Sequence, residues 1–268
     1  MLDGYRTATR YALLEHTRNR LALGLLIVFM PLWYFLLGTF FDNTLVVFKL
    51  SSTGTVLRVN GHNLTLLTAG TNAIALIVGF TLFAAVRGGA AFDRRLVLCG
   101  LRQPVLLLAK LSALAGVAAA VSLYASVLLL AFFRPANLAL VWLGFFAVAL
   151  VYGAFGLLLG VLVRSELAGF FLIVMIGLFD TFLQNPLDNP AANKDFLRDF
   201  PAYAPTQLAV AGGFAGHLPA SMLLVSLAWV VGFAALGLLI FWRRTRPWNA
   251  RGRALPAHAP DVRATIEA

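Results

Sequence analysis

The chain of 268 residues is 60% hydrophobic and 12% charged, with a mean hydropathy of +0.86 and a formal net charge of +10. A water-soluble domain of this size needs far more polar surface, so composition excludes one and places the chain among integral membrane proteins. A single cysteine, Cys99, excludes an intramolecular disulfide and a thiolate metal site.

Residues 3–20 read as a helix with Arg6 and Arg10 on one side and Leu2, Tyr5, Ala8 and Ala12 on another. Such a helix lies along the inner membrane surface with its arginines at the headgroups. Leu13 and Leu14 interrupt the polar face, and the plainer alternative is an extension of the first span. Six apolar stretches follow: Leu21–Phe41, Leu64–Val86, Leu111–Phe133, Asn137–Val163, Leu167–Gln184 and Leu218–Trp242. Each is close to the roughly 20 helical residues that cross a hydrocarbon core. The first lacks a small-residue cleavage site and reads as a retained helix, not a cleaved signal peptide. The fold class expected is all-α and integral to the membrane, with a six-helix domain over residues 21–242.

Sidedness follows from the basic residues. Arg6, Arg10, Arg18 and Arg20 precede the first span. Arg87, Arg94, Arg95, Arg102 and Lys110 follow the second, Arg164 follows the fourth, and six arginines between Arg243 and Arg263 follow the last. The opposite face carries only Lys49, Arg58, Arg134, Lys194 and Arg198. Both termini are therefore expected in the cytoplasm, in a multi-pass protein of the cell membrane. The basic excess serves topology and anionic headgroups, not nucleic acid.

Between the spans, Thr44–Lys49 and Thr55–Val59 alternate in polarity and predict a small outer hairpin broken at Gly54 and Gly61. In the cytoplasmic loop 87–110, Gly88-Gly89 is expected to break the preceding helix. A short basic helix would then run from near Asp93 through Leu98, Gly100 would close it, and Pro104 would open the next. Gly153, Gly156 and Gly160 permit close packing of the fourth span, within the chain more readily than between copies. In the outer loop 185–217, Pro205–Phe214 is apolar but too short to cross, which predicts a re-entrant or interfacial helix ended by Gly212-Gly213. The tail 243–268 is basic and rich in Pro and Ala, and reads as disordered and cytoplasmic.

The usual catalytic constellations are missing. None of the three lysines follows a glycine, so there is no P-loop; no two histidines stand four apart on a helix; and there is no Gly-x-Ser-x-Gly elbow. No catalytic, metal or cofactor site is expected, and the chain is not read as an enzyme. Asp180 is the only acidic or basic side chain in the six spans. An intramembrane carboxylate is a functional candidate by default. With Gln184 and Asn185 nearby, it reads either as a contact at an outer gate or substrate exit, or as a helix-end residue hydrogen-bonded to a neighbour.

This layout resembles the membrane subunits of ATP-binding-cassette (ABC) exporters of the type-2 permease family. The resemblance covers residues 1–245 and rests on the surface helix 3–20, the six spans, the segment Ala91–Cys99 and the short element Pro205–Phe214. Locally it rests on Phe92-Asp-Arg-Arg-Leu, Gly100-Leu-Arg and Leu106-Leu-Leu-Ala-Lys110-Leu. It implies a coupling helix at Ala91–Cys99, with Arg87, Asp93, Arg94, Arg95 and Arg102 facing a separate cytoplasmic ATP-binding subunit, aided by Arg6 and Arg10. It also implies a second permease copy, ATP and Mg bound by the partner, and outward movement of an amphipathic or hydrophobic substrate such as a drug or lipid. In one departure, Arg87 is followed by Gly88 and Gly89 where the family often has Arg-Glu, and Asp93 takes part of that acidic role. Competing classes are a secondary transporter using Asp180, a lipid-modifying membrane enzyme, and an immunity or assembly factor. The first needs several buried ionisable groups and inverted repeats, and the second needs a polar cluster; neither is visible in the sequence.

Overall fold

A computed structural model of the chain describes residues 2–18, 20–40, 43–50, 54–98, 101, 103–185, 189 and 195–245. Among the described residues, five helices are long and apolar enough to cross a membrane, which marks the chain as a membrane protein. They are α4 (Gly61–Leu98), α5 (Gln103–Leu129), α6 (Leu138–Leu162), α7 (Glu166–Gln184) and α9 (Ala220–Thr245). Ahead of them come α1 (Leu2–Arg18), α2 (Arg20–Gly24) and α3 (Met30–Phe40); α8 (Tyr203–Val210) precedes α9.

The first expected span is helical but irregular. A π-helical turn, Leu25–Phe29, joins α2 to α3, and the apolar stretch Leu26–Phe40 is shorter than the other five. The irregularity lies just ahead of Pro31, which has no N–H for the Ile27 carbonyl and whose ring crowds that turn. After α3 the chain forms an antiparallel hairpin of β1 (Leu45–Leu50) and β2 (Thr55–Asn60), in register from Leu45 opposite Asn60 to Leu50 opposite Thr55. Gly54 turns it with φ +70°, and its N–H donates to the Leu50 carbonyl at 2.8 Å. Leu50 and Val59 are buried beneath the hairpin, while Leu45, Val47 and Val56 point outward.

Two expected helix ends are corrected. Gly88-Gly89 does not break the helix: α4 runs unbroken through both residues to Leu98, so Ala91–Cys99 is no separate coupling helix. A helical glycine costs only about 1 kcal/mol relative to alanine, and Ala90 and Ala91 follow at once. A long helix already nucleated tolerates that cost. The expected loop 87–110 is thus mostly helix, because α5 begins at Gln103 with Pro104 in its first turn, where a missing N–H does no harm. Likewise, Gly212-Gly213 does not end the short helix α8. A π-helical turn, Ala211–Ala215, carries it on to Gly216, which closes it at φ +72°. At the C-terminal side α9 reaches Thr245; Cys99, Gly100, Arg102 and the tail 246–268 lie outside the described residues.

The bundle is organised around α6, which packs against α4, α5, α8 and α9. Small residues permit this closeness. Gly156 faces the Gly79 carbonyl of α4, Gly144 meets the backbone of Ala209, and Gly212 meets the backbone of Leu140 and Val141. Two backbone bonds fasten the start of α6 to the π-helical turn after α8: Ala136 N–H to Gly213 O (2.9 Å) and Asn137 N–H to Gly212 O (2.8 Å). Asn137 caps α6 by accepting from the Leu140 N–H. Most of the apolar stretch of α4 is buried and almost none of that of α9, so α4 belongs to the core and α9 to the rim. Phe35, Phe179, Phe182 and Leu224 project outward from α3, α7 and α9, as apolar side chains do where hydrocarbon is the solvent.

Candidate functional site

Half of the buried polar side chains among the described residues are satisfied within their own helix. Thr68, Thr71, Thr81, Ser122, Ser126 and Ser226 each donate to a carbonyl three or four residues earlier in their own helix. Asp180 is different. It is 1% exposed on the inner side of α7, and its partners come largely from other elements. The Tyr152 hydroxyl of α6 donates to Oδ2 at 2.7 Å, and the Ala202 N–H donates to the same oxygen at 2.8 Å. Gln184, one turn later on α7, donates its amide to Oδ1.

The elements explain why these groups meet. Ser165 starts α7 by capping the Ala168 N–H, and from there Asp180 and Gln184 fall four apart on the same helix face. Ala202 precedes α8, so the carboxylate stands at that helix's positive end, where negative charge is favoured. α7 leans on α4 and touches α6 only sparsely. The Tyr152–Asp180 bond is therefore a main tie between α6 and α7. One turn earlier, Asn72 of α4 donates to the Gly177 carbonyl at 3.4 Å, a long bond. Beside the cluster a narrow cleft opens between α7 and α9, floored by α6 and lined by Val151, Tyr152, Phe155, Ile176, Pro201 and Phe233.

Asp180 and Gln184, singled out in the sequence, are thus brought together, and the structure adds Tyr152 and the Ala202 amide. A signal for Tyr152 existed: it is the only hydroxyl-bearing aromatic in the fourth apolar stretch, and a phenol in hydrocarbon needs a partner. The Ala202 amide left no mark in the sequence. The remaining candidates lie elsewhere. Arg6 and Arg10 are exposed on α1, which packs against α5 with the Tyr5 hydroxyl 2.6 Å from Ser112 Oγ. Arg87 turns inward and donates to the Val163 carbonyl at 2.7 Å, at the negative end of α6. Arg95 is exposed in the last turn of α4. The backbone of Asp93 and Arg94 belongs to the same helix end, while Arg102 lies outside the described residues.

Among the described residues no three His, Cys, Asp or Glu side chains gather to hold a metal ion. No model of a known protein family matches this chain, and no curated protein matches it either.

Proposed function

We propose that this chain is the permease subunit of an ABC exporter of the type-2 family, carrying an amphipathic or hydrophobic substrate outward. The energy would come from ATP hydrolysed, with Mg, on a separate nucleotide-binding subunit. The observation that carries this reading is the length of α4. Its 38 residues extend about 57 Å, against a hydrocarbon core of about 30 Å. The apolar part is Gly61–Gly89, so the nine residues that follow extend the helix past it and bear Asp93, Arg94 and Arg95.

The neighbourhood of that extension supports it. Gly4 of α1 lies near Leu101 in the connection between α4 and α5, so α1 sits at the same end of the bundle. The Arg87–Val163 bond puts the turn bearing Arg164 there too. These are the segments whose basic residues assign the cytoplasmic side. A docked ATPase would meet the end of α4 and the outer face of α1, with Arg6, Arg10 and Arg95 exposed toward it. In this reading α2 and α3 complete a sixth span, both termini are cytoplasmic, and α8 with its π-helical turn is the re-entrant element at the outer leaflet. A second permease copy would complete the pathway, because α7 and α9 leave wide apolar faces uncovered.

Co-expression with candidate ATP-binding subunits tests the proposal. The expected result is a complex that survives purification in nanodiscs and loses its ATPase on Arg95→Glu or Asp93→Ala. A chain that recruits no ATP-binding subunit overturns it.

A further inference from the structure

The carboxylate of Asp180 is enclosed in the bundle with no cationic partner among the described residues. Among the described residues its oxygens accept from neutral donors: the Tyr152 hydroxyl, the Ala202 amide and the Gln184 side chain. A lone charge at such depth is costly, and buried charges are ordinarily paired. A second observation lies beside it. The Gln184 carbonyl oxygen, on a side chain only 7% exposed, is buried without a hydrogen-bond partner. Buried acceptors left unsatisfied are rare enough to need a reason.

We propose that Asp180 and Gln184 form a proton-binding site, with the Gln184 amide turning over to match the state of the acid. When Asp180 is ionised, the amide donates from Nε2 to Oδ1. When a proton arrives from water and settles on Oδ1, the amide rotates by half a turn and Oε1 accepts that proton. Oδ2 keeps its bonds from Tyr152 and Ala202 in both states, so the tie between α6, α7 and α8 survives the change. No bond other than O–H forms or breaks, and the proton returns to water on release. An amide is suited to this because its two ends exchange donor for acceptor at nearly constant shape.

A metal ion is the poorer fit. Calcium takes about 6–8 oxygens and magnesium six in an octahedron, whereas only Oδ1 and Oε1 could turn toward a guest. The surroundings hold little else that titrates. Tyr152 is the titratable group facing Asp180 from α6. Among the described side chains of α4, His62 lies near Gly38, Arg87 is bound to Val163, and Arg95 is in the last turn. Beyond Ala202 the Tyr203 hydroxyl is buried, and Arg198 and Asp199 are exposed. The site stands independently of the ABC-exporter reading, since a proton here could regulate a pump or accompany a substrate.

The test is infrared difference spectroscopy of the full chain in nanodiscs, titrated between about pH 9 and about pH 4. The expected result is a reversible carbonyl band of a protonated carboxyl, separate from the exposed acids. It should vanish in Asp180→Asn and shift upward in frequency in Gln184→Met, where the acid loses its acceptor. If Asp180→Asn does not fold, Asp180→Glu keeps the acid and should move the same band. Absence of any band sensitive to residue 180 while the protein remains folded overturns the site. A band indifferent to Gln184→Met overturns the role of the amide.

Discussion

Gly156 of α6 lies directly against the carbonyl of Gly79 in α4, leaving no room for a methyl group between the two helices. This contact closes the most extensive helix pair in the bundle. Gly156→Ala must push the backbones apart and should destabilise the protein by about 1–3 kcal/mol, as overpacking does. Gly88→Ala is the matched control, because nothing among the described residues lies within 4 Å of the added carbon. It should be neutral or stabilising by up to about 1 kcal/mol, the helix-propensity difference. Thermal unfolding of both variants in one detergent checks the pair.

Tyr152→Phe removes one of the two donors to Asp180 Oδ2 without changing the shape of the core. A hydrogen bond to a charged group contributes about 1.5–3 kcal/mol, and Oδ2 keeps the Ala202 N–H as its remaining donor. The same change should loosen α7 from α6, read as faster hydrogen exchange of the α7 amides near Asp180 with α4 unaffected.

Gly54 turns the β1–β2 hairpin at φ +70°. Alanine there is strained by roughly 1–2 kcal/mol, whereas asparagine tolerates the left-handed region better. Gly54→Ala should therefore increase proteolysis of the hairpin, and Gly54→Asn should do so much less.

The α1–α5 contact should weaken in acid. His16 sits partly buried in α1, and burial first, then the charge of Lys110, hold its pKa below the usual 6.5. The undocked helix therefore binds a proton more readily than the docked one. Docking is fully favourable above about pH 6.5 and is lost as pH falls from there through the lowered value. Hydrogen exchange of α1, corrected for intrinsic rate, should rise over that window in the native chain and stay flat in His16→Gln.

Much of this architecture is legible in the sequence because hydrocarbon enforces it. Long uncharged runs such as 138–162 can only be helices, and Gly54 between two alternating segments reads as a hairpin turn. Helix ends are less legible than helix interiors. Gly88-Gly89 has the form of a helix stop, yet its cost is small beside the stability of a helix already 27 residues long at that point. Gly212-Gly213 has the same form, but Gly212 serves the close approach to Leu140 and Val141, and Gly213 lies against the Leu67 side chain. In the candidate site, Asp180 announced itself as the lone charge in a span. Gln184, four residues on, is legible beside it; Tyr152 shows in the sequence only as a phenol needing a partner, 28 residues away on another helix, and the Ala202 donor is a backbone amide, identical in every sequence.

The most direct measurement is the ATPase rate of a candidate ATP-binding subunit in nanodiscs, with and without this chain. The permease reading predicts that the chain binds the subunit and raises its rate, and that Arg95→Glu, at the exposed end of α4, abolishes the increase while the bundle remains folded. An ATPase rate unchanged by the native chain, with no complex formed, would contradict it.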